Sequence, residues 1–290
     1  MNMQKKKKLY KPGSFMYVLR RIKANPLALA SAIIMILMIV LSFISPYILK
    51  NDIYSFDMER AYAPPSREHL FGSDELGRDV LARVLYGTRY TMSVGIFSVI
   101  ISAFFGVLLG AAAGYFGGRA DLIIMRFLDI LAAFPQLLLA IAISSALGQG
   151  LDKCIISLGI AGIPQFARLI RGNILTIRGQ EYIEASESIN CSKWRIITRH
   201  VVPNAISPLI VTASMAIANA GLNASALSFI GLGVKAPTPE WGAMIAASRN
   251  YIRRYPHMVL FPGLFIMISV LCLNIIGDTI RDALDPKLRD

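Results

Sequence analysis

The sequence is poor in charged residues. Asp, Glu, Lys and Arg make up 17% of its 290 residues, against about 25% in ordinary globular domains. Hydrophobic residues account for 55% of the chain, the mean hydropathy is +0.55, and the apolar residues come in long blocks. These features exclude an ordinary water-soluble domain and predict an all-α protein that crosses a lipid bilayer several times.

Cysteine and histidine are also scarce. The three cysteines are an odd number without short-range pairing, and the three histidines are far apart: Cys154, Cys191 and Cys272, and His69, His200 and His257. These spacings exclude a disulfide framework and a metal site built from clustered ligands. We therefore predict that the chain has no metal site.

The sequence also lacks the residues of a nucleotide-hydrolysing or catalytic site. It has no Gly-x4-Gly-Lys-Ser/Thr loop to hold phosphates, and no catalytic constellation. We predict that the chain is not an enzyme and binds no cofactor of its own. The net charge of +12 does not indicate nucleic acid, because the basic residues cluster at the ends of the hydrophobic blocks, as in membrane proteins.

Six apolar stretches approach the length needed to cross the hydrocarbon core, about 20 residues. They lie between Lys23 and Lys50, between Arg89 and Arg119, from Asp121 to Leu147, from Cys154 to Ala167, from Val201 to Val234, and between Arg254 and Asp278. The fourth stretch is the shortest. It crosses if the helix continues to Ile174, with Arg168 and Arg171 extending to the interface. A re-entrant segment is the alternative.

The basic residues predict the orientation of the six spans. With both termini in the cytoplasm, 18 of the 30 lysines and arginines fall on the inner side, as the positive-inside rule requires. The cluster Lys5–Lys8 precedes the block Leu27–Leu49, which is too long for the apolar region of a signal peptide and is predicted to remain as an anchor. The predicted divisions are a basic tail (1–25), a first span with its outer loop (26–90), a core of five spans (91–281) and a cytoplasmic tail (282–290).

The first outer loop, about residues 50–90, contains one patterned segment. Between Ser73 and Leu85, five apolar residues share one helical face: Leu76, Val80, Leu81, Val84 and Leu85. This pattern predicts a helix before the second span. The helix either lies in the membrane interface or packs on the protein.

One inner segment, about residues 176–205, is both polar and regular. Glu181, Glu184 and Glu187 recur every three residues and form an acidic stripe on a short helix, flanked by Ile183 and Ala185. A second helix with its own apolar face follows, and a proline precedes the fifth span: Trp194, Ile197 and Val201, and then Pro203. Because the segment is too polar for lipid and too regular for an irregular loop, we predict that it docks on a partner protein.

The same segment resembles the signature of the binding-protein-dependent permeases of ATP-binding-cassette (ABC) importers. That signature is Glu-Ala-Ala, three residues, Gly, nine residues, then an apolar residue, any residue, Leu and Pro. It corresponds here to Glu184-Ala185-Ser186, Asn190 and His200-Val201-Val202-Pro203, with departures at Ser186, Asn190, His200 and Val202. If the family glycine adopts a left-handed turn, Asn190 is the least costly replacement. We therefore expect the turn to persist.

Further motifs, from about Arg20 to the C-terminus, resemble the peptide and nickel branch of that family. They are Phe71–Asp79, Ala113–Gly118, Arg199–Asn204, Leu227–Gly233, Pro237–Gly242 and Gly277–Pro286. Within the branch, the chain is similar to the permease that has a basic N-terminal anchor helix. The resemblance implies the type I ABC importer fold, with six transmembrane helices and cytoplasmic termini, in the bacterial cytoplasmic membrane.

The resemblance also implies partners and a cargo. A second permease would pair with the chain, two ATPase subunits would bind ATP and Mg²⁺ beneath it, and an external binding protein would deliver the cargo. The helix Glu184–Asn190 would be the coupling helix, and the coupling residues would be Glu181, Glu184, Ala185, Ser186, Glu187, Asn190 and Pro203. The implied cargo is a dipeptide or oligopeptide, with a nickel or metal chelate as the alternative. A self-sufficient channel or secondary transporter is the alternative from another class.

A polar stripe in the fifth span is the candidate for the substrate path. Asn219 and Asn223 lie four residues apart on one helical face, which Thr212 and Met215 extend. Polar side chains in a membrane face a cavity or another helix, so the stripe predicts either pore lining or hydrogen bonds between closely packed helices. In the third span, the spacing of Arg126 and Asp129 predicts that they pair with each other or with a neighbouring subunit.

Overall fold

The computed structural model describes residues 15–49 and 53–284. Within these residues the regular structure is helical. The α-helices are α1 (Phe15–Ala24), α2 (Pro26–Ile48), α3 (Val80–Phe116), α4 (Gly118–Ala132), α5 (Gln136–Leu147), α6 (Leu151–Arg178), α7 (Glu181–Ser188), α8 (Lys193–Ile196), α9 (Val202–Ala205), α10 (Ser207–Phe229), α11 (Trp241–Ser248) and α12 (His257–Leu284). The cluster Lys5–Lys8 and most of both predicted tails lie outside the described residues.

Five helices are long and apolar enough to cross a membrane: α2, α3, α6, α10 and α12. The start of α2 illustrates how the sequence sets such a helix. Asn25 Oδ1 accepts hydrogen bonds from the backbone N–H groups of Leu27 (3.0 Å) and Ala28 (3.3 Å), and Pro26 occupies the first turn, where its missing N–H is not needed. The 23 residues of α2 rise about 35 Å, enough to cross the hydrocarbon core.

The third predicted span is broken in its middle. α4 and α5 meet at an angle of 87°, so the predicted span from Asp121 to Leu147 consists of two helices rather than one. The break ends at Pro135, which cannot donate a backbone hydrogen bond and disfavours helical geometry in the residue before it. Hydropathy alone does not show this break, because apolar residues continue on both sides of it.

The broken pair still extends from one end of α6 to the other. Asp121 of α4 pairs with Arg171 in the C-terminal half of α6 at 2.5 Å. α5 ends at Leu147, close before α6 begins at Leu151. Since its two ends lie beside opposite ends of one spanning helix, the pair is a single crossing, and the described chain has six crossings.

The fourth span is a full crossing. α6 continues for 28 residues through Pro164, a length of about 42 Å. This continuity excludes a re-entrant segment and confirms that the helix runs beyond Ile174.

The arginines of α6 have partners inside the protein. Arg168 pairs with Asp129 at 2.9 Å and Arg171 pairs with Asp121 at 2.5 Å; their extension to the interface stays a prediction. We call these two contacts the α4–α6 ion pairs. Asp129 thus pairs with Arg168 and not with Arg126, and the predicted alternative, a contact of Arg126 with a neighbouring subunit, stays a prediction.

α3 begins earlier than predicted. Its first residue is Val80, and the Asp79 side chain caps it by accepting a hydrogen bond from Ala82 N–H at 2.8 Å. Val80 and Val84 are buried in the protein. The separate helix predicted between Ser73 and Leu85 is therefore wrong, since residues 73–79 are a loop and residues 80–85 are the first turns of the second span.

Small residues let α3 and α6 pack closely along their length. A Cβ atom on Gly110 would overlap the backbone of Ala167, and Ser102 Oγ donates a hydrogen bond to the carbonyl of Gly159 at 2.7 Å. The glycines of α3 that face α6 are spaced four residues apart: Gly106, Gly110 and Gly114. Such spacing is typical of tightly packed membrane helices, because it removes side chains from one face of the helix.

Two connecting segments, residues 53–79 and 231–256, pack together at the end of the molecule opposite α7, and we call them the cap. The guanidinium group of Arg83 donates to the carbonyls of Ile53 (3.1 Å) and Pro237 (3.3 Å). Trp241 is fully buried, and its indole N–H donates to the carbonyl of Val84 at 2.9 Å. The cap therefore holds the first turns of α3 against the segment between α10 and α12.

Candidate functional site

α7 is a short helix with a buried isoleucine that packs it against the rest of the protein. It begins shortly after α6 ends, and Ile183 is 1% exposed. Ile183 belongs to a core cluster at the ends of α3 and α6 that includes Tyr115, Ile174, Ile177, Ile196 and Val201. Burial of one isoleucine contributes about 2 kcal/mol, so this residue fixes which face of α7 points outwards.

The predicted coupling residues lie on the outward face of α7 or next to it. Glu181, Glu184 and Ala185 are exposed, and Ser186 is half-buried with its hydroxyl donating to the carbonyl of Tyr182 at 2.7 Å. The side chain of Glu187 lies outside the described part of the chain. Pro203 is exposed in α9, on the return to the membrane.

Asn190 ends α7 in the left-handed conformation, with φ of +61°. The N–H of Cys191 donates to the carbonyl of Ser186 at 3.1 Å, which is the bond that closes a Schellman turn. The turn expected at Asn190 is confirmed. It reverses the chain so that residues 191–205 pack back towards the membrane helices.

Three large side chains of the same segment are exposed. Tyr182 is 40% exposed, Ile189 76% and Trp194 73%. Sequence reasoning did not single out Tyr182 or Ile189. The feature of the sequence that could have indicated an exposed apolar residue is Ile189, which directly precedes the turn residue Asn190.

The prediction that Trp194, Ile197 and Val201 form one apolar helical face is wrong for Trp194. Ile197 and Val201 are buried, as that face requires, but α8 is only four residues long and a π-helical turn follows it over Ile197–Val201. One regular helical face therefore does not extend from Trp194 to Val201.

Hydrogen bonds connect this segment to the membrane helices. Asn204 donates to the hydroxyl of Tyr182 (3.4 Å), and Asn173 of α6 donates to the carbonyl of Ala205 (3.2 Å). Further along α6, the Arg171 guanidinium donates to both carboxylate oxygens of Asp121, at 2.5 and 2.6 Å. α7 is thus connected through α6 to the first half of the broken span.

The predicted substrate-path residues lie along one face of α10. Met215 and Asn223 are half-buried and Asn219 is exposed, whereas Ala218, Ala220 and Ala224 are buried against neighbouring helices. Asn223 lines an open cavity of about 400 Å³ whose other residues are mainly apolar. Asn219 lines a smaller cavity of about 40 Å³. Thr212, which donates to the carbonyl of Pro208 at 3.1 Å, bonds to its own helix.

The cap contains a buried carboxylate. Glu240 is 0% exposed, and its oxygens accept hydrogen bonds from Gly242 N–H (3.0 Å), Ala243 N–H (2.9 Å) and the hydroxyl of Thr91 (3.1 Å). The motif Pro237–Gly242 thus connects α11 to α3, and its role is structural. A satisfied buried carboxylate of this kind fixes the position of the groups around it.

Aromatic rings connect the two segments of the cap. Tyr62 stacks on Tyr255 with 4.6 Å between ring centres. The hydrogen bond with Tyr251 raises the pKa of Tyr62 to about 12, so its hydroxyl stays protonated throughout the physiological pH range. The outer surface beside these rings is basic, with Arg249, Arg253 and Arg254 exposed.

Comparisons with known proteins match this architecture. Residues 106–290 match the family described as "Binding-protein-dependent transport system inner membrane component", and residues 14–65 match the "N-terminal TM domain of oligopeptide transport permease C". The glutathione transport system permease protein GsiD of Pectobacterium atrosepticum is 42% identical over 271 residues, which cover 93% of this chain and 90% of that protein.

Two further comparisons concern a second relative and a solved structure. The dipeptide transport system permease protein DppC of Alkalihalophilus pseudofirmus is 42% identical over 270 residues, 93% of this chain and 89% of that protein. The inward-facing MetNI methionine ABC transporter has a TM-score of 0.58 over 70% of this chain and 97% of that chain, at 18% identity. At this identity, the likeness shows a shared fold.

Proposed function

The chain belongs to the family of binding-protein-dependent transport system inner membrane components, and from this membership we propose that it is the permease subunit of an ABC importer that carries short peptides across the bacterial cytoplasmic membrane. The relatives at 42% identity are named for glutathione and for dipeptides. Both cargoes contain peptide bonds, which favours a peptide over the nickel chelate as the cargo of this chain.

The outward surface of α7 is the observation that carries the proposal. Tyr182, Ile189 and Trp194 are exposed on the same short segment as the exposed Glu181 and Glu184. Large apolar side chains rimmed by charge are typical of a protein contact surface. We infer that this surface docks on an ATPase subunit in the cytoplasm, and that ATP and Mg²⁺ are bound and used by that partner.

The connections of α7 provide a route from such a motor to the membrane helices. α7 follows α6 after a two-residue connection and is fixed by the buried Ile183, so a displacement of α7 moves the end of α6. The α4–α6 ion pairs then connect α6 to the first half of the broken span. The 87° bend at Pro135 separates this half from α5, and closely packed helices shift between discrete arrangements.

The remaining partners fit the other surfaces. The half-exposed polar face of α10 is the side on which a second permease would enclose a path between the two subunits. The exposed Arg249, Arg253 and Arg254 of the cap would face an external binding protein, for which opposite charge favours fast association. These assignments follow from the proposed importer and name no individual partner.

Reversing the charge of Glu184 tests the function. In cells that express the complete importer, we expect Glu184→Lys to weaken recovery of the ATPase with the permease, and to lower peptide-stimulated ATP hydrolysis, by about tenfold, because an interfacial carboxylate becomes a cation. Glu59→Lys, at an exposed site in the cap, is the control and should leave recovery of the ATPase unchanged. Normal ATPase recovery and normal stimulated hydrolysis in Glu184→Lys would contradict the assignment of α7.

A further inference from the structure

Five polar side chains from four helices surround one small cavity inside the membrane region. The cavity has a volume of about 40 Å³, and its lining residues are all uncharged. The polar ones are Ser98 and Ser102 of α3, Gln136 of α5, Gln165 of α6 and Asn219 of α10. Polar groups are costly in a bilayer, so their convergence from four separate helices requires a physical reason.

These residues lie at a common depth. Ser98 is the middle residue of α3, Gln165 lies at the middle of α6, and Asn219 is next to the middle of α10. Gln136 directly follows the break between α4 and α5. The cavity is therefore near the middle of the membrane. At this depth the break in the span places a polar side chain, that of Gln136, beside the cavity.

The serines and the amides of this cavity differ in their partners. Ser98 donates to the carbonyl of Gly95 (3.1 Å) and Ser102 donates to the carbonyl of Gly159 (2.7 Å), so both hydroxyl hydrogens are directed at backbone. Gln136, Gln165 and Asn219 are instead exposed at the mouth of the cavity. We call these three residues the amide cluster.

Gln136 of α5 lies close to a glycine of α6. Gln136 Nε2 is 3.6 Å from the position that a Cβ atom on Gly162 would occupy. The side chain of Gln136 thus extends from α5 towards α6, on the side where Gln165 and Asn219 line the same cavity. Three carboxamides from three spans converge on one opening.

We propose that the amide cluster binds the main-chain peptide groups of the cargo as it passes the middle of the membrane, an inference that rests on the proposed import of peptides. A carboxamide both donates and accepts hydrogen bonds, as a peptide bond does. A peptide group that loses water without a partner carries a penalty of several kcal/mol. The amide cluster removes that penalty for any side-chain sequence.

Because the lining residues carry no charge, they suit a transient contact with the cargo rather than tight binding of it. Conduction requires binding that is favourable enough for the cargo to enter and weak enough for it to leave. Neutral hydrogen bonds contribute only about 1 kcal/mol each, whereas a lysine or aspartate at this depth would hold an oppositely charged cargo far more tightly. Three neutral amides therefore match a transient contact with a main chain.

The test uses the complete importer, with both permeases, the ATPases and the binding protein, in liposomes. Import of trialanine is compared with import of its ester analogue, in which an internal amide N–H is replaced by oxygen. We expect the wild type to import the peptide faster than the ester. In Gln165→Met together with Asn219→Leu, peptide import should fall by about tenfold, and the peptide-to-ester ratio should fall towards one.

Several controls make the outcomes distinct. The same binding protein supplies every variant, so its own preference between peptide and ester cancels in the comparison. Ser214→Ala removes a polar atom from α10 that bonds to its own helix and should leave the ratio unchanged. Each single substitution is assayed beside the double one, and size-exclusion chromatography shows whether the permeases stay together.

Two results overturn the proposal. A peptide-to-ester ratio that is the same in the wild type and in the double variant shows that the amide cluster does not contact the cargo main chain. Separation of the two permeases in the variants shows that the cluster joins subunits instead. If the wild type imports no peptide at all, the proposed function itself fails, and this site with it.

Discussion

Asn190 is the residue at which the backbone leaves ordinary helical geometry on the α7 surface. Its φ of +61° lies in a region that costs most L-amino acids about 1–2 kcal/mol. Glycine avoids that cost, and asparagine reduces it more than other side chains do. The turn is therefore preserved in a sequence that departs from the family signature at this position.

Substitutions of Asn190 should follow backbone preference rather than polarity. We expect Asn190→Gly to retain peptide-stimulated ATP hydrolysis, and Asn190→Val to lower it several-fold, because a β-branched side chain is strained at this φ by about 1–2 kcal/mol. The measurement is ATP hydrolysis by the reconstituted importer. Equal activity of the Gly and Val variants would show that the turn is unimportant for coupling.

At single positions, the sequence predicted conformation better than exposure. The left-handed turn followed from the kind of residue at position 190, which is a local property. Trp194 is exposed, whereas Ile197 and Val201 in the π-helical turn that follows it are buried in the core. Helical periodicity assumes an unbroken helix, so it placed Trp194 on the wrong face.

Among the elements, the pairing of α3 with α6 positions both functional regions. α3 carries the first turns inside the cap, and α6 leads directly into α7. Close approach of the two helices depends on the glycines of α3, above all on Gly110 against Ala167. Small residues at such an interface allow the backbone contacts that replace the hydrophobic effect within lipid.

Two glycine-to-alanine substitutions separate packing from helix propensity. Gly110→Ala places a methyl group against the backbone of Ala167, and we expect a loss of about 1–3 kcal/mol in stability from this overpacking. A Cβ atom on Gly172 of α6 would meet nothing within 4 Å, so Gly172→Ala should be neutral or slightly stabilising. Thermal unfolding of the purified complex in detergent measures both. A similar melting temperature for the two variants would contradict the packing argument.

The errors in the predicted helix boundaries have one cause in common. The break at Pro135 lies within a run of apolar residues, whereas α3 begins at Val80 directly after the mainly polar residues 73–79. Hydropathy measures only the affinity of a stretch for lipid, so it detects that a stretch is buried and not where a helix bends or begins. For a related reason, the sequence did not predict the amide cluster. Gln136, Gln165 and Asn219 are far apart in the sequence, and only the fold brings them to one cavity.

On the scale of the whole molecule, the two ends of the six crossings differ in design. One end carries α7 with its exposed acidic and aromatic surface, and the other carries the cap, fixed by the buried Glu240 and Trp241. Because the number of crossings is even, the start of α2 and the end of α12 lie on the same side. α7 follows the fourth crossing and therefore lies on that side too. The excess of basic residues on that side predicts that it faces the cytoplasm.

The cysteines of the native chain allow that orientation to be tested directly. Cys154 and Cys272 are buried, whereas Cys191, next to the turn at Asn190, is partly exposed. A membrane-impermeant maleimide should therefore react with Cys191 only, and only after the cytoplasmic membrane has been opened. Cys191→Ser should abolish this labelling.

A cysteine introduced in the cap tests the other side of the membrane. Ile252 is 52% exposed there, so Ile252→Cys should label in cells whose cytoplasmic membrane is intact. The docked ATPase should in turn slow the labelling of Cys191 in opened membranes, because the two would share one surface. Labelling of Cys191 in intact cells would place α7 outside, where no ATP-driven subunit reaches it, and the coupling role of α7 would have to be abandoned.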